Sequence, residues 1–327
     1  MSNKRLIMCQ LGKEVTAFTP VAATARLAEL DDYPKVKFDG LAEILADQAG
    51  AFSPGSVAVY DGQMCSVTLA GKATYQDLPY HMDALFGVAT PSGAGPYVYA
   101  YAAYRTTPPT LRRNTIEIGD AIAGGPNYKY TGALLNKFSL ETKPREPVKY
   151  SAEYLAGQTT TVTLAALSNR TQTPLHNYHL VGGMFMDTWA GTLGATALTA
   201  TAQEFKIEFD AKRALAFLSG DLVPTDHDED TIEATFSGTF KFNTTSKALV
   251  DELIALAITQ KQFRLKFGDT VNRIAQFDLP LLVTPQFDKW SERNATIMVA
   301  LTGKAMYHAT VADYCKVSVT NQVATLP

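Results

Sequence analysis

Apolar and polar residues alternate strictly in two short stretches, Phe205-Lys206-Ile207-Glu208-Phe209 and Phe263-Arg264-Leu265-Lys266-Phe267. A period of two puts the aromatic and aliphatic groups on one face and the charges on the other, so each reads as a strand with one buried and one wet face. Tyr97, Tyr99 and Tyr101 share a face in the same way, with Val98 and Ala100 opposite. Residues 56–60, the Asp61-Gly62 pair and the run from Gln63 onward predict a hairpin, because Asp and Gly readily take the positive φ of a tight primed turn. Helical periodicity occurs twice. Residues 246–257 carry Leu249, Leu253 and Leu256 on one face, with Ser246 placed to cap the N-terminus. A shorter stretch begins near Pro79, which a first turn tolerates, and stops at Gly87, which takes a left-handed conformation at no steric cost.

Both helices follow copies of one motif. VTLAGKATY at 67–75 returns as ATFSGTFKF at 234–242, with Thr68/Thr235, Gly71/Gly238 and Tyr75/Phe242 in register. Downstream, residues 82–86 are answered by 250–254, and 97–101 by 263–267. Three matched segments in one order predict an internal duplication. The expected fold is therefore mainly β: two tandem antiparallel domains of sandwich or tube type, each with one flanking α-helix. The first covers residues 1–165, with 1–55 as an N-terminal arm, and the second covers 166–327. The Thr-rich stretch at 158–174 marks the junction. A weakly patterned connection at 211–230 ends in Asp-His-Asp-Glu-Asp, and loops of that length are uncommon without a purpose.

A length of 327 residues suits two domains that each bury a core. The net charge of −3, with both signs mixed along the chain, gives no basis for tight binding to a phosphate backbone. The three cysteines, Cys9, Cys65 and Cys315, are far apart and read as reduced thiols rather than a disulfide or metal set. The N-terminal apolar stretch is too short and interrupted for a signal peptide, and no window reaches the length of a membrane span. Membrane insertion is not expected.

Candidate chemistry is sparse. The acidic run Asp226, His227, Asp228, Glu229 and Asp230 has oxygen ligands but lacks the Gly turn and distal Glu of an EF-hand loop, so a solvated loop facing a basic partner is the better reading. His176 and His179 lack the further ligands of a zinc site. There is no nucleophile elbow, P-loop, dinucleotide fingerprint or HExxH. No catalytic residue, metal or cofactor is expected, and the chain does not read as an enzyme.

The ordered segments resemble a known family, the tail tube (major tail) proteins of phages with long non-contractile tails, in the form about three hundred residues long with two tube-like halves. YKYTGALLNKFSLETKPREPVKYSAEYLAG at 128–157 is similar to the strand pair of that family's first half. QEFKIEFD at 203–210, IEATFSGTFKF at 232–242, the helix at 246–257 and QFRLKF at 262–267 are similar to its second half, closed by FDLPLL and NATIMVALTG. The likeness covers roughly residues 56–304. It implies β-sandwiches flanked by a helix, six per ring, whose inner strands join in one barrel; a chain with two such domains then needs three copies per ring. It also implies a location in the virion tail after assembly in the bacterial host cytoplasm, self-association into rings and tubes, and tape-measure and tail-terminator proteins as partners. The resemblance further implies that DNA passes through the lumen without specific binding.

On that reading the strand acids Glu117, Glu141, Glu153, Glu208 and Asp278 are candidates to face the lumen. Asp226 to Asp230 form a candidate ring-stacking loop, with Arg112, Arg113 or Arg145 of the next ring as basic partners. A β-sandwich binding, adhesion or baseplate module of a virion is the alternative reading.

Overall fold

The computed structural model describes residues 7–27, 30–31, 33–45, 57–120, 127–167, 172–180, 183–198, 202–254, 260–293 and 296–327. In the first half lie β1 (Ile7–Lys13), β2 (Ala25–Leu27), β3 (Lys35–Leu45), β4 (Val57–Lys72), α1 (Leu78–Phe86), β5 (Tyr97–Ala102), β6 (Asn114–Asp120), β7 (Tyr128–Thr142), β8 (Lys149–Ala156) and β9 (Gln158–Thr161). The second half supplies β10 (Met184–Thr188), β11 (Ala202–Asp210), β12 (Ala214–Ala216), β13 (Asp226–Asp228), β14 (Glu233–Lys241) and α2 (Thr244–Ile254). It continues with β15 (Gln260–Thr270), β16 (Arg273–Arg293), β17 (Thr296–Ala305) and β18 (Lys316–Asn321). The protein is mainly β and its strand pairs are antiparallel, as the alternation predicts.

Pairing order repeats between the halves. Strands of the first half run β3-β4-β8-β7, and strands of the second run β11-β14-β17-β16. β7 and β11 pair with each other, from Phe205 opposite Thr142 to Asp210 opposite Lys137, so these strands form one continuous central sheet. β7 and β16 are long enough to serve two sheets each. The first part of β7 pairs β6 and β9, and its later part pairs β8 and β11. In β16 the first part pairs β15 and β18, and the later part pairs β17. Two flanking sheets result, β2-β1-β6-β7-β9 and β10-β15-β16-β18-β5.

The flanking layers cover one face of the central sheet. Phe236 of β14 meets Phe263 of β15 with ring centroids 4.3 Å apart, and Phe205 of β11 lies 6.2 Å from Phe267. α1 closes the first half: its His81 ring lies 4.8 Å from Tyr150 and 5.5 Å from Phe138. Buried apolar side chains from Cys9 to Val319 make one connected core. Burying large aromatics in offset or tilted contact is the main favourable term holding these layers together.

Several expectations change. Asp61-Gly62 is not a hairpin turn: β4 is a single strand of 16 residues. Leu41 pairs Gly62 and Ala42 pairs Tyr60, so Asp61 is the extra residue of a β-bulge, another feature that Asp-Gly chemistry accommodates. Ser246 is not the N-cap of α2, which starts at Thr244. Asn243 caps it instead, its Oδ1 accepting the Ser246 N–H at 3.0 Å while Ser246 Oγ accepts the Asn243 N–H at 2.8 Å. This reciprocal pair satisfies two backbone donors at once. α1 spans Leu78–Phe86 and ends at Gly87, whose φ is 106°, close to the expectation. The side chains of Leu249 and Leu253, and Leu256 altogether, lie outside the described residues.

Residues expected as an N-terminal arm supply β1, β2 and β3, with β1 paired to β6 and β3 to β4. The expected match of 97–101 with 263–267 also changes. Among the described strands β5 pairs β18 alone, while β6 holds the position of β15: each pairs the long shared strand that follows it, and each has β1 or β10 on its other side. The C-terminal β18 closes the second flanking sheet. Linker residues 172–176 pack back on the first half, with Val148 N–H donating to Leu175 O at 2.9 Å.

Candidate functional site

The central sheet turns one face to the core and the other to solvent. Along β14, Ala234, Phe236 and Phe240 are buried while Thr235, Ser237 and Lys241 are exposed. The same alternation runs through β8 and β11 and the later part of β7, making a broad polar face. Glu141, Glu153 and Glu208 come together on it from β7, β8 and β11. Lys206 stands opposite Glu141, and Lys137 opposite Glu153.

Four lysines on this face are matched by carboxylates. Lys137 lies 3.5 Å from Asp210, Lys206 2.5 Å from Glu208, Lys304 3.0 Å from Glu233 and Lys143 3.0 Å from Glu141. Such half-exposed pairs add little stability. Their consequence is a face mixed in sign.

Glu117 and Asp278 lie elsewhere. Glu117 is buried in β6, where desolvation pushes its carboxyl pKa up against the pull of Lys129. Asp278 belongs to the flanking part of β16 and takes a bidentate pair from Arg264, Nε at 2.7 Å and Nη2 at 2.9 Å. Planar fork geometry of this kind fixes side-chain orientation.

The acidic segment is folded back on its own chain. Asp226–Asp228 forms β13, paired with β12. Arg113 Nη2 donates to His227 Nδ1 at 2.5 Å, and burial followed by the Arg113 charge holds the imidazole pKa below its usual value. Glu229 binds Arg213 at 2.9 Å. Of the basic partners expected, Arg112 is buried, donating to Asn114 Oδ1 and to the Pro327 carbonyl, and so cannot meet another ring. Arg113 is engaged within the chain, and Arg145 is exposed in the turn between β7 and β8.

Arg213 is the residue that sequence reasoning missed. Its guanidinium, buried between the halves, donates to Ala84 O at 2.9 Å, Leu135 O at 2.5 Å and Leu85 O at 2.7 Å. A second-half side chain thereby satisfies carbonyls at the C-terminal end of α1, where helix carbonyls lack intrahelical donors. An arginine in a weakly patterned connection carries no sequence signal for that role.

Both ends of the central sheet are open. β3 pairs β4 on one side, and no described strand pairs its other side. Among the described residues β15 begins at Gln260, opposite Leu282, and beyond that rung β16 is paired by β17 alone. Large apolar side chains are exposed at these ends: Phe38 at 53%, Leu282 at 40% and Ile297 at 49%. Unpaired edges with apolar neighbours invite strand addition.

Among the described residues there is no cluster of metal-ligating side chains, and no helix is long and apolar enough to cross a membrane. A broad polar face on a central antiparallel sheet, backed by two flanking sheets, defines the class as a mainly β protein. Residues 13–284 match the family model of the phage tail tube protein, and the chain belongs to that family. Its place is the virion tail. No curated protein matches the chain.

Proposed function

We propose that three copies of this chain close a ring of pseudo-sixfold symmetry and that rings stack into the tube of a long, non-contractile phage tail. The observation that carries this reading is the repeated strand order, β3-β4-β8-β7 then β11-β14-β17-β16, with the two sets already joined edge to edge inside one chain. The halves are two tube domains arising from a duplication, divided in the segment between β9 and β10.

Three copies give a central barrel of about 24 strands. With strands about 4.8 Å apart and tilted about 40°, the barrel is roughly 50 Å across between backbones and about 40 Å inside the side chains. That bore admits duplex DNA with its hydration. The polar face bearing Glu141, Glu153 and Glu208 lines it, and the core face turns outward to the flanking sheets. DNA presents a charge every ~1.7 Å, so a basic wall would hold it by counterion release. Lysines matched by carboxylates instead let it slide during ejection.

The tape-measure protein occupies the same bore before ejection, and a terminator protein caps the last ring. Assembly takes place in the host cytoplasm. The exposed acids Asp226, Asp228 and Asp230 reach the next ring, where Arg145 is a basic partner. Negative-stain microscopy of the purified protein tests the reading. Rings or hollow rods are expected; discrete monomers at high concentration would overturn it and favour a virion binding or baseplate module.

A further inference from the structure

We infer that β3 of one copy adds to the later part of β16 of a second copy in a defined register, in which Lys35 lies opposite Thr284 and Val36 opposite Val283. This deepens the ring reading above and rests on it. The partner is another copy because the chain already contains the joint in finished form, between β7 and β11.

The register follows from the internal repeat. Thr235 of β14 lies between Glu208 and Lys304, and its counterpart Thr68 of β4 lies between Lys35 and Glu153. Lys35 therefore takes the place of Glu208. On the other side, Thr302 opposes Thr284 as Ser151 opposes Ser139, so Thr284 takes the place of Ser139. Glu208 opposes Ser139 across the internal joint, and Phe209 opposes Phe138. Copying that joint to the open ends sets Lys35 against Thr284 and Val36 against Val283.

Two independent features agree with this register. Among the described residues β15 pairs β16 no further than Leu282, and Val283 is the first residue of β16 without a described partner on that side, where β3 is to pair. Phe38 lies on the core side of β3, two residues beyond Val36, yet is 53% exposed, as a core residue is when the neighbouring strand is missing. Pro34 and Pro285 fall on one rung. At the internal joint the Ala211 N–H donates to Asn136 O, so Phe209–Phe138 is a hydrogen-bonded rung and its copy Val36–Val283 is one too; neither proline has an N–H, so the ladder ends at their rung.

Within one chain Val36 and Val283 are separated by about seven strand spacings, roughly 34 Å, too far for a disulfide. A Val36→Cys/Val283→Cys double variant, oxidised after assembly, therefore reports only contacts between copies. The native thiols are buried and free, and the single variants give their background. Expected is conversion of most of the chain to a closed covalent trimer on non-reducing gels. A Val36→Cys/Leu281→Cys control, displaced by two rungs, should stay monomeric.

Rings without cross-linking in the first pair, or with cross-linking only in the control, would overturn the register while leaving the tube function intact. Absence of rings in the unmodified protein would instead defeat the function. Should the first variant fail to fold, Lys35→Cys/Thr284→Cys tests the neighbouring rung, and its failure to cross-link within intact rings counts equally against the inference.

Discussion

The internal joint between β7 and β11 and the open ends of the same central sheet place equivalent strands in opposite circumstances. At the joint, backbone pairing runs from Phe205 to Asp210, the Phe138 and Phe209 rings lie 6.5 Å apart, and Arg213 ties the second half to α1. At the ends, Phe38 faces solvent and no described strand pairs the outer side of β3. The helices differ in parallel. All nine residues of α1 are buried, whereas Lys247, Ala248, Asp251 and Glu252 of α2 are exposed. One joint is closed within the chain, then, and in the proposed ring the other is closed between copies.

The largest effect on the isolated chain should come from breaking the finished joint. Arg213→Ala leaves the carbonyls of Ala84, Leu85 and Leu135 without that donor and Glu229 without its charge partner. The expected cost is about 3 kcal/mol in urea unfolding. Arg213→Lys should recover only part of it, since a single ammonium cannot reproduce the planar fork.

Acid should weaken the α1 side of the comparison next. His81 is buried, with Nδ1 2.8 Å from Tyr154 Oη, and burial pushes its pKa down to about 3. The unfolded chain takes up this proton near pH 6.5, while the folded chain refuses it. Stability from this group is therefore complete above pH 6.5 and is lost below it at about 1.4 kcal/mol per pH unit, down to the folded pKa. His81→Gln should remove that component. Comparing urea stabilities at pH 7 and pH 5 checks it, because the buried carboxyls with raised pKa, such as Asp83, are common to both proteins and cancel. An unchanged pH slope in the variant would contradict the assignment.

A smaller loss belongs to α2. Asn243→Ala removes the acceptor for the Ser246 N–H and should cost about 1 kcal/mol by thermal or urea unfolding. Smallest for the chain itself is an edge change: Phe38→Ser should alter monomer stability by no more than about 0.5 kcal/mol. Its effect on rings should nevertheless be severe, seen as loss of the assembled species in sedimentation. A Phe38→Ser protein that forms normal rings would remove the distinction between the two joints.

Much of this fold was legible along the chain because its signals are local. Strict alternation in 205–209 and 263–267 reports burial directly, and Pro79 and Gly87 bracket a helix by their own backbone chemistry. Pairing is not local. Tyr97 to Tyr101 alternate like any half-buried strand, so their sequence could not say that β18 is their partner, while β6, buried throughout, hides its place as the counterpart of β15. Asp61-Gly62 fits a turn or a bulge equally, and only β3 lying across it decides. Of the five strand acids, Glu141, Glu153 and Glu208 reach one face because their strands are neighbours, and Glu117 and Asp278 do not because β6 and the first part of β16 belong to other sheets.

Electron cryomicroscopy of assembled tubes tests the central claim most directly. The account predicts three chains per ring and an unbroken inner barrel in which β7–β11 joints alternate with β3–β16 joints between copies, the Glu141, Glu153 and Glu208 face turned to the bore. Six chains per ring, or a barrel interrupted at β3, would contradict it.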